Sequence, residues 1–366
     1  MSLNKLPGLR IGDLEASIPI VQGGMGVGIA LSCLSSAVAN EGGIGVIAAT
    51  GIGMLEPDFD RNFKEANKRA LRREIRRARE LTTGIIGVNI LVASSDYYDL
   101  LQTAVDEGAD LVFLGAGLPL RIPTVLSSDG SRKVTAKIVP IVSSARAASV
   151  IFKYWEKHYN HVPDAVVVEG PLAGGHLGFK KEQINNPDYT LEKILPEVIA
   201  VTKRYEQYFN KSIPIIAAGG IYTGADIYRF LQLGAQAVQM ATRFVATHEC
   251  DASLEFKEAY VRCKEEDLII IDSPVGLPGR AIRNGFLEQI SSGTKIPFKC
   301  PWKCLKTCDA RTAPYCIGVA LLNAKNGDLG NGFAFAGANA HRVDTIISVK
   351  ELIQTLLAEY EIAVSM

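Results

Sequence analysis

The sequence predicts an α/β protein built as a (β/α)8 TIM barrel, with a Cys-, Gly- and Pro-rich lid segment at its C-terminal end. Three observations lead there. Eight short, β-branched apolar runs recur along the first two-thirds of the chain, helix-patterned stretches lie between them, and glycine-rich turns follow several of the runs. Runs that are apolar on both faces suit parallel strands covered by helices. Eight such units in about 250 residues match the barrel. A doubly wound open sheet ranks second, because nothing signals a reversal of strand order and the glycines are not confined to one turn.

The expected strands are residues 18–22, 44–49, 85–91, 111–116, 137–142, 165–169, 214–218 and 237–240. The expected helices are 29–41, 97–107, 145–158, 191–209, 225–233 and 253–264. Residues 61–80 carry nine Lys and Arg side chains, yet Phe63, Ala70, Leu71, Ile75 and Ala78 recur at helical spacing. The charges are therefore read as the solvated face of an amphipathic helix rather than an anion site. From about residue 272 the pattern changes to segments rich in Pro, Gly and Cys, then an apolar stretch at 317–322 better suited to a helix than a ninth strand, and a final helix at 349–360. The expected division is a barrel over 1–269, with 270–366 packed on it as a lid segment and terminal helix.

Composition excludes several function classes. The chain has 366 residues with 39 basic and 39 acidic side chains, so the formal charge is zero and no nucleic-acid footprint is expected. Hydrophobic residues at 48% exclude a disordered chain. The opening residues lack the apolar core of a secretion signal, and no apolar run is long enough to span a bilayer. The expectation is a cytoplasmic protein with no membrane partner, whose seven cysteines are thiols rather than a disulfide framework.

Four stretches carry candidate chemistry. In 217–244 one strand ends in Ala218-Gly219-Gly220 and the next in Met240-Ala241-Thr242. In a barrel these ends are neighbours, and glycine lets main-chain N–H groups crowd an anion beside a helix N-terminus. Residues 169–178 (EGPLAGGHLG) follow the sixth strand, so Glu169, Gly175 and His176 lie at the catalytic face. An imidazole flanked by glycines is poorly placed for packing and well placed to handle a proton. His158, His161, His248 and His341 lack that setting. Gln22-Gly23-Gly24-Met25 after the first strand would let a flat ring lie against the backbone, and Asn89 would offer an amide to its heteroatoms. Finally, Cys300, Cys304, Cys308 and Cys316 are spaced C-x3-C-x3-C-x7-C. Four thiolates can hold zinc or an iron–sulfur cluster, but the gaps fit structural zinc only in part. Aromatic and proline neighbours favour a lid packed with thiols and no metal.

The order and spacing of IVQGGMG, GGIGVIAATG, GVNIL, EGPLAGGHLG, AAGGIYTG and VQMATRF over residues 15–250 resemble the nitronate monooxygenase family, formerly 2-nitropropane dioxygenases. That family includes the flavin-type enoyl-[acyl-carrier-protein] reductases. The resemblance implies a TIM barrel that binds FMN. Gly220, Ala241 and Thr242 would hold the phosphate through main-chain N–H groups. Gln22, Gly23, Gly24, Met25 and Asn89 would line the isoalloxazine, Glu169, Gly175, Ala218, Gly219 and Met240 would complete the cofactor site, and His176 would be the catalytic histidine. The chain departs from the family in having Ala241 where glycine is usual and Leu172 where an acid is common. Its Gln22–Met25 segment is nearer the reductase branch, and the cysteine tail is outside the shared pattern. The implied function is FMN-dependent oxidation of nitronates by oxygen to a carbonyl compound and nitrite. The alternatives are NAD(P)H-dependent reduction of an enoyl thioester, and a non-catalytic flavin-binding barrel. The partner is a small-molecule substrate, and a homodimer is left open.

Overall fold

A computed structural model describes residues 6–122 and 136–366. The chain opens with an antiparallel hairpin, β1 (Leu9–Ile11) and β2 (Leu14–Ala16). The barrel strands that follow are β3 (Ile20–Gln22), β4 (Gly45–Ala48), β5 (Ile86–Leu91), β6 (Leu111–Gly115), β7 (Lys137–Val142) and β8 (Val166–Glu169). A two-residue strand, β9 (Gly175–His176), precedes the last two staves, β10 (Ile215–Ala218) and β11 (Ala237–Met240). The helices of this part are α1 (Ser32–Asn40), α2 (Phe59–Leu81), α3 (Tyr97–Asp106), α4 (Ala145–Tyr159), α5 (Lys181–Ile184), α6 (Leu191–Phe209), α7 (Gly224–Gln232), α8 (Thr242–Val245) and α9 (Leu254–Val261). Each of the eight expected strands is present, within one or two residues at its ends. Among the described residues, no helix is long and apolar enough to cross a membrane.

The eight staves form one parallel sheet whose spatial order follows the chain, apart from closure. Closure occurs between β3 and β4. Ile44 N–H donates to Ile20 O at 2.9 Å and Gln22 N–H to Ile44 O at 2.9 Å. The next rung is made by a side chain: Val46 N–H donates to Gln22 Oε1 at 2.9 Å, while Gln22 Nε2 donates to Gly23 O. The strand turns away at Gly23, and the buried Gln22 amide replaces the backbone carbonyl that the seam has lost.

Side-chain alternation divides the strands into two layers. Val21, Val46, Phe113, Val139, Val167 and Ile216 fill the interior, where Leu9, Ile11 and Ala16 of the hairpin join them and plug the end opposite the strand C-termini. Ile20, Ile47, Val88, Val112, Val166 and Val238 face the helices. From Ala66 onward the basic helix α2 behaves as its pattern predicts, whereas Phe63, expected in the stripe, is only half-buried, next to a break in helical backbone at Asn62. Ala66, Ala70, Leu71, Ile75 and Ala78 are buried. Arg69 and Arg73 pair with Glu56, Arg72 and Arg76 with Glu107, and Arg79 with Asp110. Most of its charge is met by the protein's own acids.

The tail contains two strands absent from the sequence expectation, β12 (Leu268–Asp272) and β13 (Pro278–Ile282), followed by α10 (Gly285–Ser291), α11 (Ile317–Lys325) and α12 (Val349–Ser365). The hairpin β12–β13 spans the 269/270 boundary that composition suggested, and β13 pairs with β9. Its partner is a loop about a hundred residues upstream, so no local signal marks it. Helix α12 docks on α7, with Gly224 N–H donating to the Glu359 carboxylate at 2.7 Å.

Replacing Gln22 by Leu leaves the Val46 N–H buried without an acceptor. The expected cost is about 1–3 kcal/mol of unfolding free energy, read as a lower urea midpoint with an unchanged m-value. A midpoint equal to that of the parent protein would remove the seam role.

Candidate active site

The alternation that sorts the core also sorts the C-terminal rim of the barrel. Register pairs Ala48 with Asn89, Glu169 with Ala218, Ala218 with Gln239, and Met240 with Gln22. Asn89, Glu169, Ala218 and Gln239 share the interior face with Val167 and Ile216, and so point into the mouth. Gln22 and Met240 share the parity of the outward Ile20 and Val238, and Met240 is buried among helix-facing residues. What these two can present to a ligand is main chain. Gln239 is an interior rim residue that the sequence reading passed over, because one position within a four-residue strand gives no parity until the barrel closes.

Two glycine pairs bring backbone close to this rim. Gly219 and Gly220 have φ of +92° and +82°, a conformation that costs an L-residue energy. A Cβ on Gly219 would lie 2.8 Å from Gly170 O, and one on Gly220 2.8 Å from Leu172 Cβ. Across the gap, Gly23 N–H donates to Met240 O at 2.8 Å, and a Cβ on Gly23 would lie 3.1 Å from the Ala241 methyl. A Cβ on Gly24 would overlap Asn89. Ala241 itself has φ −120°, so alanine suits that position. Met25 is half-buried beside this turn, its carbonyl accepting from Ala30 N–H at 3.0 Å.

The corner fits the phosphate of a mononucleotide on the chemistry of its donors. No acceptor among the described residues takes the main-chain N–H of Gly220, Ala241 or Thr242, and beside them the backbone packs so closely that a Cβ on Gly219 or Gly220 would overlap the loop after β8. The Thr50 hydroxyl, at the end of β4 beside Gly26, is buried without a hydrogen-bond partner. An orphaned buried hydroxyl at the rim suits a heteroatom-bearing ring.

His176 is set by the tail. Strand β9 pairs His176 with Gly279 and Gly175 with Arg280. The His176 Nε2 lies 2.7 Å from the Ser273 hydroxyl, and its ring meets Phe335 edge-on at 5.0 Å between centroids. Burial lowers its pKa from 6.5 to about 4, so the ring is neutral near pH 7. Glu169 shows the opposite effect of the same cause: burial raises its pKa from 4.5 to about 7. Arg280 is 6% exposed, and its guanidinium donates to Pro171 O at 2.6 Å and Ala173 O at 2.7 Å. Burial lowers its pKa to about 10, which leaves it charged. It holds the loop between β8 and β9, where Leu172 is 46% exposed.

Residues 333–342 close the corner. Ala338 N–H donates to Leu172 O at 3.0 Å, Gly337 N–H to Thr242 Oγ1 at 3.2 Å, and Asn339 Nδ2 to Gly220 O at 2.7 Å. Ser273, Arg280, Phe335, Gly337 and Asn339 were invisible as site residues in the sequence. Their only signal was a Pro/Gly-rich pattern, which does not say what it packs against.

These shifts predict a pH dependence. Between pH 4.5 and 7 folded Glu169 keeps a proton that the unfolded chain has released, so its contribution to stability falls as pH rises. Between pH 4 and 6.5 the unfolded chain protonates His176 before the folded one does, so that contribution rises with pH. Glu169→Gln removes the first effect. Its unfolding free energy at pH 8 should exceed that of the parent by about 1–3 kcal/mol, with the gain absent at pH 4. An equal gain at both values in urea titrations would contradict the burial argument.

Comparison with known proteins places this geometry. Residues 10–112 and 94–359 match the family model described as nitronate monooxygenase. A probable nitronate monooxygenase of Staphylococcus aureus (strain Newman) is 30% identical over 304 residues, covering 76% of this chain and 79% of the relative. Among solved structures, FabK from Thermotoga maritima superposes with a TM-score of 0.72 at 30% identity, covering 95% of this chain and 94% of that one. A nitroalkane oxidase from Streptomyces ansochromogenes shares the fold, with a TM-score of 0.70 at 23% identity over 97% of this chain and 98% of that one.

Proposed function

The chain belongs to the nitronate monooxygenase family, a family of oxidoreductases, and from that premise we propose that it is an FMN-dependent reductase of neutral enoyl thioesters with NAD(P)H as electron source. FMN, when bound, would carry the hydride from the nicotinamide to the β-carbon of the substrate. Gly220, Ala241 and Thr242 would hold its phosphate through their main-chain N–H groups. Gly23, Gly24 and Asn89 would line its ring, with Gly219 and Ala218 closing the cleft beside them.

His176 carries this choice of substrate. An imidazole whose pKa is about 4 offers no positive charge near neutrality to an anionic nitronate. Held by Ser273 on Nε2, it can present its other ring nitrogen to a thioester carbonyl and polarise it. Glu169 retains a removable proton near pH 7 and is the candidate source for the α-carbon. Leu172, exposed where family members commonly have an acid, adds apolar surface for an acyl chain.

Nitronate oxidation is the second reading, favoured by the name of the curated Staphylococcus relatives. There His176 would steady the substrate and oxygen would be the final acceptor. Anaerobic mixing separates the two. The first reading expects NADH or NADPH to bleach the flavin and an enoyl thioester to restore its colour. Bleaching by a nitronate alone reverses the order, and protein without releasable flavin overturns both.

Replacing His176 with Ala should lower kcat by about 10²–10⁴-fold with flavin retained, whereas Gly220→Val should lose flavin. Turnover unchanged in the His176 variant would remove His176 from the chemistry, and a parent protein that binds flavin but turns over neither substrate would indicate an idle flavin-binding barrel.

A further inference from the structure

At the C-terminal rim of the barrel the loops that follow β5 and β6 meet the cysteine-bearing segment of the tail, and a cleft of about 250 Å³ opens between them. We propose that this cleft binds the phosphorylated adenosine end of NADPH, with Arg121 and Lys306 reading the 2′-phosphate that NADH lacks. The inference rests on the reductase reading above and assigns to it one electron donor and the residues that select it.

Backbone contacts fix the walls. Val92 N–H donates to Gly115 O at 2.8 Å, which ties the two loops together where their strands end. Ala116 and Gly117 then turn the chain with φ of +51° and +139°, and a Cβ on Gly117 would lie 3.2 Å from Val92 Cβ. The Pro119 carbonyl accepts from the buried Trp155 indole at 2.8 Å. On the tail side, Ser95 N–H donates to Cys304 O and Lys306 N–H to Ala93 O, each at 2.9 Å. Lys306 Nζ donates to Val92 O at 2.9 Å. The walls are therefore in place before a ligand arrives, and little ordering opposes binding.

The lining selects a planar anion. Leu118, Pro119 and Leu120 supply apolar surface, Arg121 and Lys306 supply charge, and no acid lines the cleft. Among the described residues no carboxylate pairs with either cation. An ammonium has three donors, so the single bond to Val92 O leaves Lys306 two for a phosphate. Tyr98 is 47% exposed, and its ring lies 5.0 Å from that of Tyr97 between centroids. A purine can stack on such a ring. Tyr97 also lines the cleft and is 2% exposed, yet its hydroxyl is buried without a hydrogen-bond partner. A phosphate oxygen or a purine nitrogen would supply the missing acceptor.

Size and place identify the rest of the molecule. Ligand pockets commonly start near 300 Å³, so this cleft takes one end of something longer. Val92 follows Asn89 by three residues along β5 and its loop, about 10 Å at the rise of a strand. An extended dinucleotide spans that separation, with its nicotinamide at the ring site and its adenosine in the cleft. The candidate phosphate corner for FMN lies across the mouth at β10 and β11, so the two anions do not compete for the same donors.

The test uses the full chain loaded with FMN and mixed without oxygen with NADPH or NADH. It reads the nucleotide concentration at which bleaching reaches half its limiting rate. NADPH should act at a concentration about tenfold below NADH, as one charge-assisted hydrogen bond implies. Arg121→Gln and Lys306→Gln should each raise the NADPH value about tenfold while leaving the NADH value and the limiting rate unchanged, because the contact is remote from the transferred hydride. Tyr98→Ala should raise both values together. Lys299→Gln, on the same segment but outside the cleft, should change neither. Equal action of the two nucleotides on the parent overturns the assignment, as do variants that keep the NADPH value or that weaken only a coenzyme A thioester. Should the variants fold poorly, the unaltered protein decides: adenosine 2′,5′-bisphosphate should compete with NADPH, less so as salt is added, and an absence of competition overturns the proposal. Flavin that neither nucleotide bleaches removes the reductase reading itself and this inference with it, which tells the two failures apart.

Discussion

Closure of a parallel sheet into a barrel is the constraint on which the rest depends. Once β3 and β4 meet, each stave has one inward and one outward face, and every rim residue is assigned by parity. Asn89, Glu169, Ala218 and Gln239 point inward together because their strands share one register. Gln22 points outward and can therefore complete the seam that makes closure possible. A register slip of one residue would exchange these roles throughout.

Burial without ionic compensation sets the chemistry of the mouth. His176 is driven neutral, Glu169 is kept partly protonated, and Arg280 is bound by two carbonyls rather than a carboxylate. Each is unusual alone. Together they describe a site where water is scarce and charge is expensive. The tail maintains this setting: Ser273 fixes the imidazole, Arg280 fixes the loop before it, and residues 337–339 close the corner at Gly220 and Thr242. The barrel supplies donors at the rim, and the tail decides how dry and how ordered that rim is.

Much of this architecture is legible in the sequence. The eight apolar runs were strands because continuous β-branched sequence has few other stable uses, and α2 was an amphipathic helix because its apolar stripe is periodic. The glycines at 219 and 220 were legible as special because the chain there needs left-handed backbone. The tail strands were not. Residues 268–272 are apolar enough to read as a strand, but their partners are β13 and, beyond it, β9, and pairing over such separations leaves no local trace.

Sequence alone thus determined the class of fold and the order of the barrel elements, because both follow from periodicity and from the conformational range of single residues. Tertiary structure alone decided that Ser273 meets His176 and that Arg280 holds the loop after β8. Those facts depend on which distant segments share space. That is settled by packing of the whole chain rather than by the pattern of any part of it.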